Sequence, residues 1–181
     1  MNRTLRIVLI YGVIAGLVVA VPMVATMLTL TAETAPDNGA LYGYLTMIVA
    51  LTAVFLGVKH YRDKVLGGVV RFVPALLVGL AISAVASVIY AIGWEISLVL
   101  TGFDFPAAYM REMLEGARAS GASAAEIERM TQQAEGFARL YANPLYRFAV
   151  TSVEMFPVGV VIALISAALL RNSRFLAARA S

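Results

Sequence analysis

Four long apolar runs constrain this chain more than any other feature of its sequence. They cover residues 7–30, 41–58, 72–94 and 148–170, and each is close to the ~20 residues that a helix needs to cross a bilayer. Because the interior of a bilayer offers no water to backbone amides, each run is expected to satisfy its own hydrogen bonds as an α-helix. The sequence therefore predicts an all-α integral membrane protein, a four-helix bundle surrounded by the lipid bilayer.

The composition leaves little room beyond this bundle. Of the 181 residues, 61% are hydrophobic, so a separate soluble domain of ~100 residues does not fit beside the four runs. We therefore expect a single domain, 1–181. The net charge of +3 is small and the basic residues flank the apolar runs, which argues against nucleic-acid binding. The chain has no cysteine, which excludes disulfides and thiolate metal sites.

The basic residues indicate how the bundle is oriented. In bacterial membrane proteins, short connections rich in Lys and Arg stay in the cytoplasm. Such residues precede the first run, separate the second from the third and follow the fourth: Arg3, Arg6, Lys59, Arg62, Lys64, Arg71, Arg171, Arg174 and Arg179. The connection 31–40 instead carries Glu33 and Asp37 and no basic residue. We therefore expect both termini in the cytoplasm, and the segments 31–40 and 104–143 outside.

The first run has a second interpretation. Arg3 and Arg6 resemble the basic start of a cleaved signal peptide. The apolar stretch, however, is about twice as long as the usual core of such a peptide, and no small-x-small cleavage site ends it. We therefore expect the first run to remain in the protein as a membrane-spanning helix.

Small residues recur at four-residue spacing in three of the runs. Gly, Ala and Ser allow helix backbones to approach closely in lipid. The three stripes are Gly12 and Gly16; Gly79, Ser83 and Ser87; and Gly159, Ala163 and Ala167. They are predicted contact faces, either between helices of one chain or with a second copy or another membrane protein. The sequence leaves this choice open.

Two carboxylates and a proline are the candidate functional residues within the runs. Glu154 lies about two turns into the fourth run, where a free carboxylate is costly, so it must be protonated, paired or hydrated. Glu95 stands near the outer end of the third run, and the two could form a proton- or cation-binding pair. The structural alternative is that Glu154 binds a hydroxyl of a neighbouring helix or pairs with Arg147, while Glu95 is interfacial. Pro157, like Pro22 in the first run, is expected to bend its helix.

The chain offers no recognisable catalytic, cofactor-binding or metal-binding motif. Its single histidine, His60, stands among cations at the end of the second run, and no second imidazole or cysteine exists to complete a metal site. Gly67 and Gly68 indicate a turn and match neither nucleotide-binding fingerprint. Enzymatic activity is therefore not expected.

The connection 104–143 is too long to be a plain loop and is predicted to form two amphipathic helices, 106–119 and 123–142. Ser123 and Glu126 have the spacing of a capping box at the start of the second helix. The apolar faces carry Tyr109, Met110, Met113, Leu114 and Ala117, then Ile127, Met130, Ala134, Phe137 and Tyr141. These faces could bury each other, rest on the membrane, bind another protein, or cap the bundle above Glu95 and Glu154, which we favour.

The C-terminal half contains a series of short motifs: Phe105-Pro106, Ser120-Gly121-Ala122-Ser123, Tyr141-Ala142-Asn143-Pro144, Thr151, Glu154, Phe156-Pro157-Val158-Gly159 and Leu164-Ile165-Ser166-Ala167. In these motifs the chain resembles the bacterial membrane proteins called the domain of unknown function 4199 family. The resemblance fits the four-run layout and implies a protein of the bacterial inner membrane. It implies no activity, because the family has none assigned.

Two functions remain from the sequence. The first is a non-enzymatic structural or accessory protein that contacts other helices or a partner complex through its small-residue faces and its outer hairpin. The second is a small proton- or cation-coupled transporter that uses Glu154 and possibly Glu95. The uneven distribution of basic residues between the short connections argues against antiparallel dimers but leaves parallel homo-oligomers open.

Overall fold

The computed structural model describes residues 2–29 and 39–177. Within these ranges the chain is all-helical, with six α-helices and no strand, which confirms the predicted fold class. The helices are α1 Arg3–Thr29, α2 Gly39–His60, α3 Phe72–Thr101, α4 Phe105–Ala119, α5 Ala124–Tyr141 and α6 Pro144–Leu170. A short π-helical turn, Tyr61–Val65, continues α2 without a break.

Four helices are long and apolar enough to cross a membrane, which indicates a membrane protein in a lipid bilayer. These segments are Arg3–Thr29, Gly43–Val65, Phe72–Thr101 and Pro144–Leu170. The third and fourth extend further than predicted, because hydropathy drops at Glu95 and Arg147 while the helix continues. α3 ends where Gly102 takes a left-handed conformation with φ of 64°. α6 begins at Pro144, directly after Asn143, whose side chain accepts a hydrogen bond from a backbone N–H of the first turn.

Some of the sequence-based predictions fall outside the described residues. The acidic residues Glu33 and Asp37 of the connection 31–40 lie there, as does Arg179 of the C-terminal basic cluster. The predicted end of that connection at residue 40 is wrong, because Gly39 already belongs to α2.

The stripe on α1 lies between helices of the same chain. α3 makes its most extensive contacts with α1 and α6. An added Cβ on Gly12 would stand 2.6 Å from the Cβ atom of Val85, and one on Gly16 would stand 2.6 Å from that of Ile89. Backbone contact this close is what small residues permit in membrane helices. The α1 stripe is therefore an internal contact face.

The stripes on α3 and α6 meet each other. An added Cβ on Gly79 would stand 2.8 Å from the Cβ atom of Ala163, and one on Gly159 would stand 2.6 Å from that of Ser83. Ser83 and Ala163 are almost completely buried at this contact. At each of these two contacts a glycine of one helix faces a serine or an alanine of the other. This pairing fixes the register between α3 and α6.

Replacing Gly159 by valine is expected to destabilise the protein by about 2 kcal/mol, because the new side chain would overlap Ser83 of α3. Gly43→Val is the matched control, since an added Cβ on this helical glycine meets nothing within 4 Å. The measurement is the thermal unfolding midpoint of both variants in the same detergent. Equal midpoints for the two variants would contradict the close α3–α6 contact.

A buried arginine joins α2 to the segment after α6. The Arg62 side chain is 0% exposed, and its guanidinium donates to the Asp63 carboxylate at 2.6 Å. It also donates to the backbone oxygens of Phe175 at 2.8 Å and Leu176 at 2.7 Å. Lys59 donates to the second Asp63 oxygen at 2.5 Å. The sequence pattern indicates Arg62 only as one of the basic residues that orient the bundle and does not predict this structural role.

α4 and α5 begin and end close to the predicted bounds. Gly121, with φ of 78°, supplies the left-handed residue in the turn between them. The predicted capping box is confirmed, because the backbone N–H of Ser123 donates to the Glu126 carboxylate at 2.9 Å and the Ser123 hydroxyl accepts from the Glu126 amide. These hydrogen bonds hold the pKa of Glu126 below its usual value.

Candidate functional site

A cavity of about 510 Å³ lies where α3 and α6 meet α4 and α5. Six aromatic residues form much of its wall: Tyr90, Trp94, Phe105, Tyr109, Phe137 and Tyr141. The other lining residues are Met113, Gln133, Ala134, Val150, Thr151 and Glu154. Glu154 is the only Asp, Glu, Lys, Arg or His among these residues. The cavity is therefore an aromatic pocket with a single carboxylate.

A cluster of aromatic rings holds α4 and α5 against the C-terminal half of α3. Phe105 lies edge-on to Trp94, with ring centroids 5.3 Å apart, and 5.3 Å from the ring of Tyr141. Phe137 lies 5.1 Å from Tyr141 and 5.9 Å from Tyr109. The indole N–H of Trp94 donates to the Tyr141 hydroxyl at 2.6 Å. Burial in this cluster raises the pKa of the Tyr141 hydroxyl.

Glu154 projects from α6 into this cavity. It lies about 15 Å along the helix from Pro144, at the helical rise of 1.5 Å per residue. The residue is exposed and lines the cavity together with Tyr90 of α3, whose hydroxyl interacts with its carboxylate. No Lys or Arg among the described residues forms an ion pair with it. Of the two groups considered as partners of Glu154, the structure therefore places a neighbouring hydroxyl beside it and not Arg147.

Glu95 is held differently, because it forms an ion pair with Arg147. The guanidinium donates from Nε to Oε1 at 2.6 Å and from Nη2 to Oε2 at 2.5 Å. It also lies 5.7 Å from the centre of the Tyr141 ring. Glu95 does not line the cavity. Arg147 is therefore paired with Glu95 and not with Glu154. The two carboxylates lie in different settings, because Glu95 is neutralised by its ion pair and Glu154 lines the cavity.

The remaining candidates lie in different settings. Pro157 is within α6, nearly one turn beyond Glu154, and the helix continues past it to Leu170. His60 is hydrogen-bonded through Nδ1 to the Tyr11 hydroxyl at 3.1 Å, which links α2 to α1 away from the cavity. Within residues 2–29 and 39–177, no three His, Cys, Asp or Glu side chains lie close enough together to hold a metal ion.

Sequence analysis missed the aromatic wall. It named Tyr109, Phe137 and Tyr141 as parts of amphipathic faces but did not join them to Phe105 and Trp94. A signal was present, because Phe105 and Tyr109, like Phe137 and Tyr141, are four residues apart and share one helix face. Two aromatic pairs on facing amphipathic helices indicate a shared aromatic surface.

Comparison with known proteins identifies a family but no activity. A family described as "Protein of unknown function (DUF4199)" matches residues 10–172. The match covers most of the chain and extends from α1 to just past the end of α6, so the resemblance inferred from the C-terminal half is confirmed. No curated protein and no solved structure matches the chain.

Proposed function

The chain belongs to this family of unknown function, so its activity must be inferred from its own residues, and we propose that it is a small proton- or cation-coupled carrier. Glu154 is its coupling group. The observation that supports this proposal is that, among the described residues, Glu154 is the only Asp, Glu, Lys, Arg or His that lines the cavity, and that Tyr90, not a cation, lies beside it. Glu95 is excluded from this role because Arg147 already neutralises it.

The proposed location is the bacterial inner membrane, with both termini in the cytoplasm. The basic residues after α2 and α6 lie at the same end of the bundle, since Arg62 contacts the backbone of Phe175 and Leu176. α1 contacts the same π-helical turn, and its Tyr11 is hydrogen-bonded to His60 just before that turn. This grouping supports an orientation with this end inside, because the arginines at the other end belong mainly to the long segment 104–143, which the positive-inside rule governs only weakly. The cavity and α4 and α5 are then on the outer side.

The alternative is a non-enzymatic structural or accessory protein that binds a partner. In this alternative the partner is bound by the small-residue faces and by the apolar faces of α4 and α5. The small-residue faces of α1, α3 and α6 are used within the chain, and Tyr109, Phe137 and Tyr141 line the cavity. An accessory role also gives no reason for a carboxylate at membrane depth that a solute can reach. These observations favour the carrier over the accessory protein.

A carrier needs a group that binds a proton and a cation in turn. An isolated carboxylate among apolar helices is costly when it is charged, so Glu154 is stabilised either by a proton or by a bound cation. The Tyr90 hydroxyl serves both states, because it can donate to a carboxylate and accept from a carboxylic acid. Exchange between the two states breaks no covalent bond, so the proposed activity is transport and not catalysis.

The test is cation-driven proton flux in proteoliposomes that enclose a pH-sensitive dye. Gradients of Na⁺, K⁺ and organic ammonium ions are imposed one at a time. We expect at least one gradient to drive protons through the wild-type protein, and Glu154→Gln to reduce the initial rate about tenfold or more, equivalent to about 1.4 kcal/mol. Glu112→Gln is the control, because Glu112 is exposed on α4 and does not line the cavity.

The carrier proposal is wrong if none of these gradients moves protons through the wild-type protein. It is also wrong if Glu154→Gln conducts at the wild-type rate. Glu154→Asp keeps the carboxylate and is expected to retain flux, which separates a loss of the ionisable group from a loss of folding.

A further inference from the structure

We propose that the cavity binds a monovalent organic ammonium ion with an apolar substituent, held between the Glu154 carboxylate and the aromatic wall. This assignment rests on the proposed carrier function and names its substrate class. It follows from the charge, the wall and the size of the cavity.

The charge of the cavity selects a monovalent cation. Of the described residues that line the cavity, only Glu154 is an Asp, Glu, Lys, Arg or His, and the nearby charges of Glu95 and Arg147 cancel within their ion pair. An anionic ligand would meet a carboxylate and no cation. A strongly polar neutral ligand would find few partners besides Thr151, Gln133 and the tyrosine hydroxyls. One positive charge on the ligand completes the site.

The aromatic wall selects an organic cation over an inorganic one. Ammonium groups bind the faces of Trp, Tyr and Phe rings within about 6 Å of the ring centre. Rings of the cluster are 5.1 to 6.0 Å apart, so a cation beside them contacts more than one ring. The cluster already binds one cation in this way, since the Arg147 guanidinium lies 5.7 Å from the Tyr141 ring centre. Because most of the wall is aromatic and aliphatic carbon, it provides few of the oxygen ligands that would have to replace the water around Na⁺ or K⁺.

The size of the cavity calls for an apolar substituent. Its volume of about 510 Å³ falls within the range of ~300–1,000 Å³ typical of pockets for small organic molecules. A bare ammonium group beside Glu154 would leave most of this volume unfilled. Met113, Ala134 and Val150 add apolar surface to the wall, and burying an apolar substituent there is favourable.

The test uses Trp94, the only tryptophan of the chain, which lines the cavity and reports on its contents by fluorescence. The probe is benzyltrimethylammonium, and the matched control ligand is neopentylbenzene, which has the same shape without the charge. Titrations are made in nanodiscs and compared at equal free aqueous concentrations. We expect saturable binding of the ammonium ion at least about tenfold tighter than that of the hydrocarbon.

The variants assign the charge recognition to Glu154. Glu154→Gln is expected to weaken benzyltrimethylammonium about tenfold or more and to leave neopentylbenzene unchanged. Glu154→Asp and the control Glu112→Gln are expected to stay within a few-fold of the wild type. The Asp variant also shows whether a loss in the Gln variant comes from the charge or from misfolding.

Equal affinity for the two probes, or unchanged ammonium binding in Glu154→Gln, would overturn the assignment. The two proposals fail separately. If Na⁺ or K⁺ gradients drive Glu154-dependent proton flux but no ammonium ion binds, the substrate class is wrong and the carrier function stands. If the ammonium ion binds as expected but no gradient drives flux, the binding site stands and the carrier function is wrong.

Discussion

Replacing Arg62 by methionine is expected to lower the free energy of unfolding by about 3–5 kcal/mol, which is the usual cost of removing one partner from a buried charge pair. The Arg62 side chain is fully buried, so its removal leaves the backbone oxygens of Phe175 and Leu176 without their donors. Asp63 keeps only Lys59 as a cationic partner. The segment after α6 loses these two hydrogen bonds and keeps the edge-on ring contact of Phe175 with Phe55 of α2.

The matched control is Lys64→Met, because Lys64 lies in the same π-helical turn, is exposed, and its loss changes the net charge equally. Denaturant unfolding in detergent measures stability, and limited trypsin digestion measures release of the segment that contains Arg174. We expect the Arg62 variant to unfold at lower denaturant and to be cleaved faster. If both variants behave like the wild type, Arg62 does not hold this segment.

Replacing Arg147 by methionine is expected to lower the free energy of unfolding by about 2 kcal/mol. The cost is smaller than at Arg62 because the side chains of Arg147 and Glu95 are 19% and 26% exposed, so solvent screens part of the interaction. The variant leaves Glu95 as a second carboxylate without a cation and removes the guanidinium from the face of Tyr141.

A double-mutant cycle separates the ion pair from simple packing. Because Glu95→Gln removes the carboxylate that Arg147→Met leaves unpaired, the double variant is expected to be more stable than the single Arg147→Met variant. The measurement is the denaturant midpoint of the four proteins. Additive losses would mean that the two side chains do not stabilise each other. Glu112→Gln, on the exposed face of α4, is the control for losing a carboxylate.

The sequence predicted the number and type of helices because an apolar run in lipid has no other stable backbone conformation. It located the ends of α3 and α6 less well. Hydropathy reports contact with lipid, whereas a helix ends where its capping residues are, at Gly102 and Asn143. The capping box of α5 was correctly located because Ser123 and Glu126 form a local pattern that needs no tertiary contact.

Part of the candidate site was also predictable, because it depends on the local sequence and not on tertiary contacts. A carboxylate inside an apolar run is costly wherever it faces, so Glu154 stands out from the sequence alone. Its partner does not, because the choice between Tyr90 and Arg147 depends on how α3 and α6 are rotated against each other. That rotation is set by contacts such as Gly159 with Ser83, and the sequence identified the stripes without pairing them.

Arg62 illustrates a different limit. The positive-inside rule counts cations and treats each of them as equivalent. The burial of Arg62 depends on the path of the chain after α6, which brings Phe175 and Leu176 to its guanidinium. No local pattern distinguishes Arg62 from the exposed Lys64 beside it.

Infrared difference spectroscopy of the protein in nanodiscs tests most directly whether Glu154 exchanges a proton for a cation. Without an added ligand, we expect the carbonyl band of a protonated carboxyl group that is absent from Glu154→Gln and is lost when benzyltrimethylammonium binds. Glu112→Gln is expected to retain both the band and its loss. A band that survives in Glu154→Gln, or one that persists in the wild type while the ammonium ion is bound, would contradict the proposed exchange.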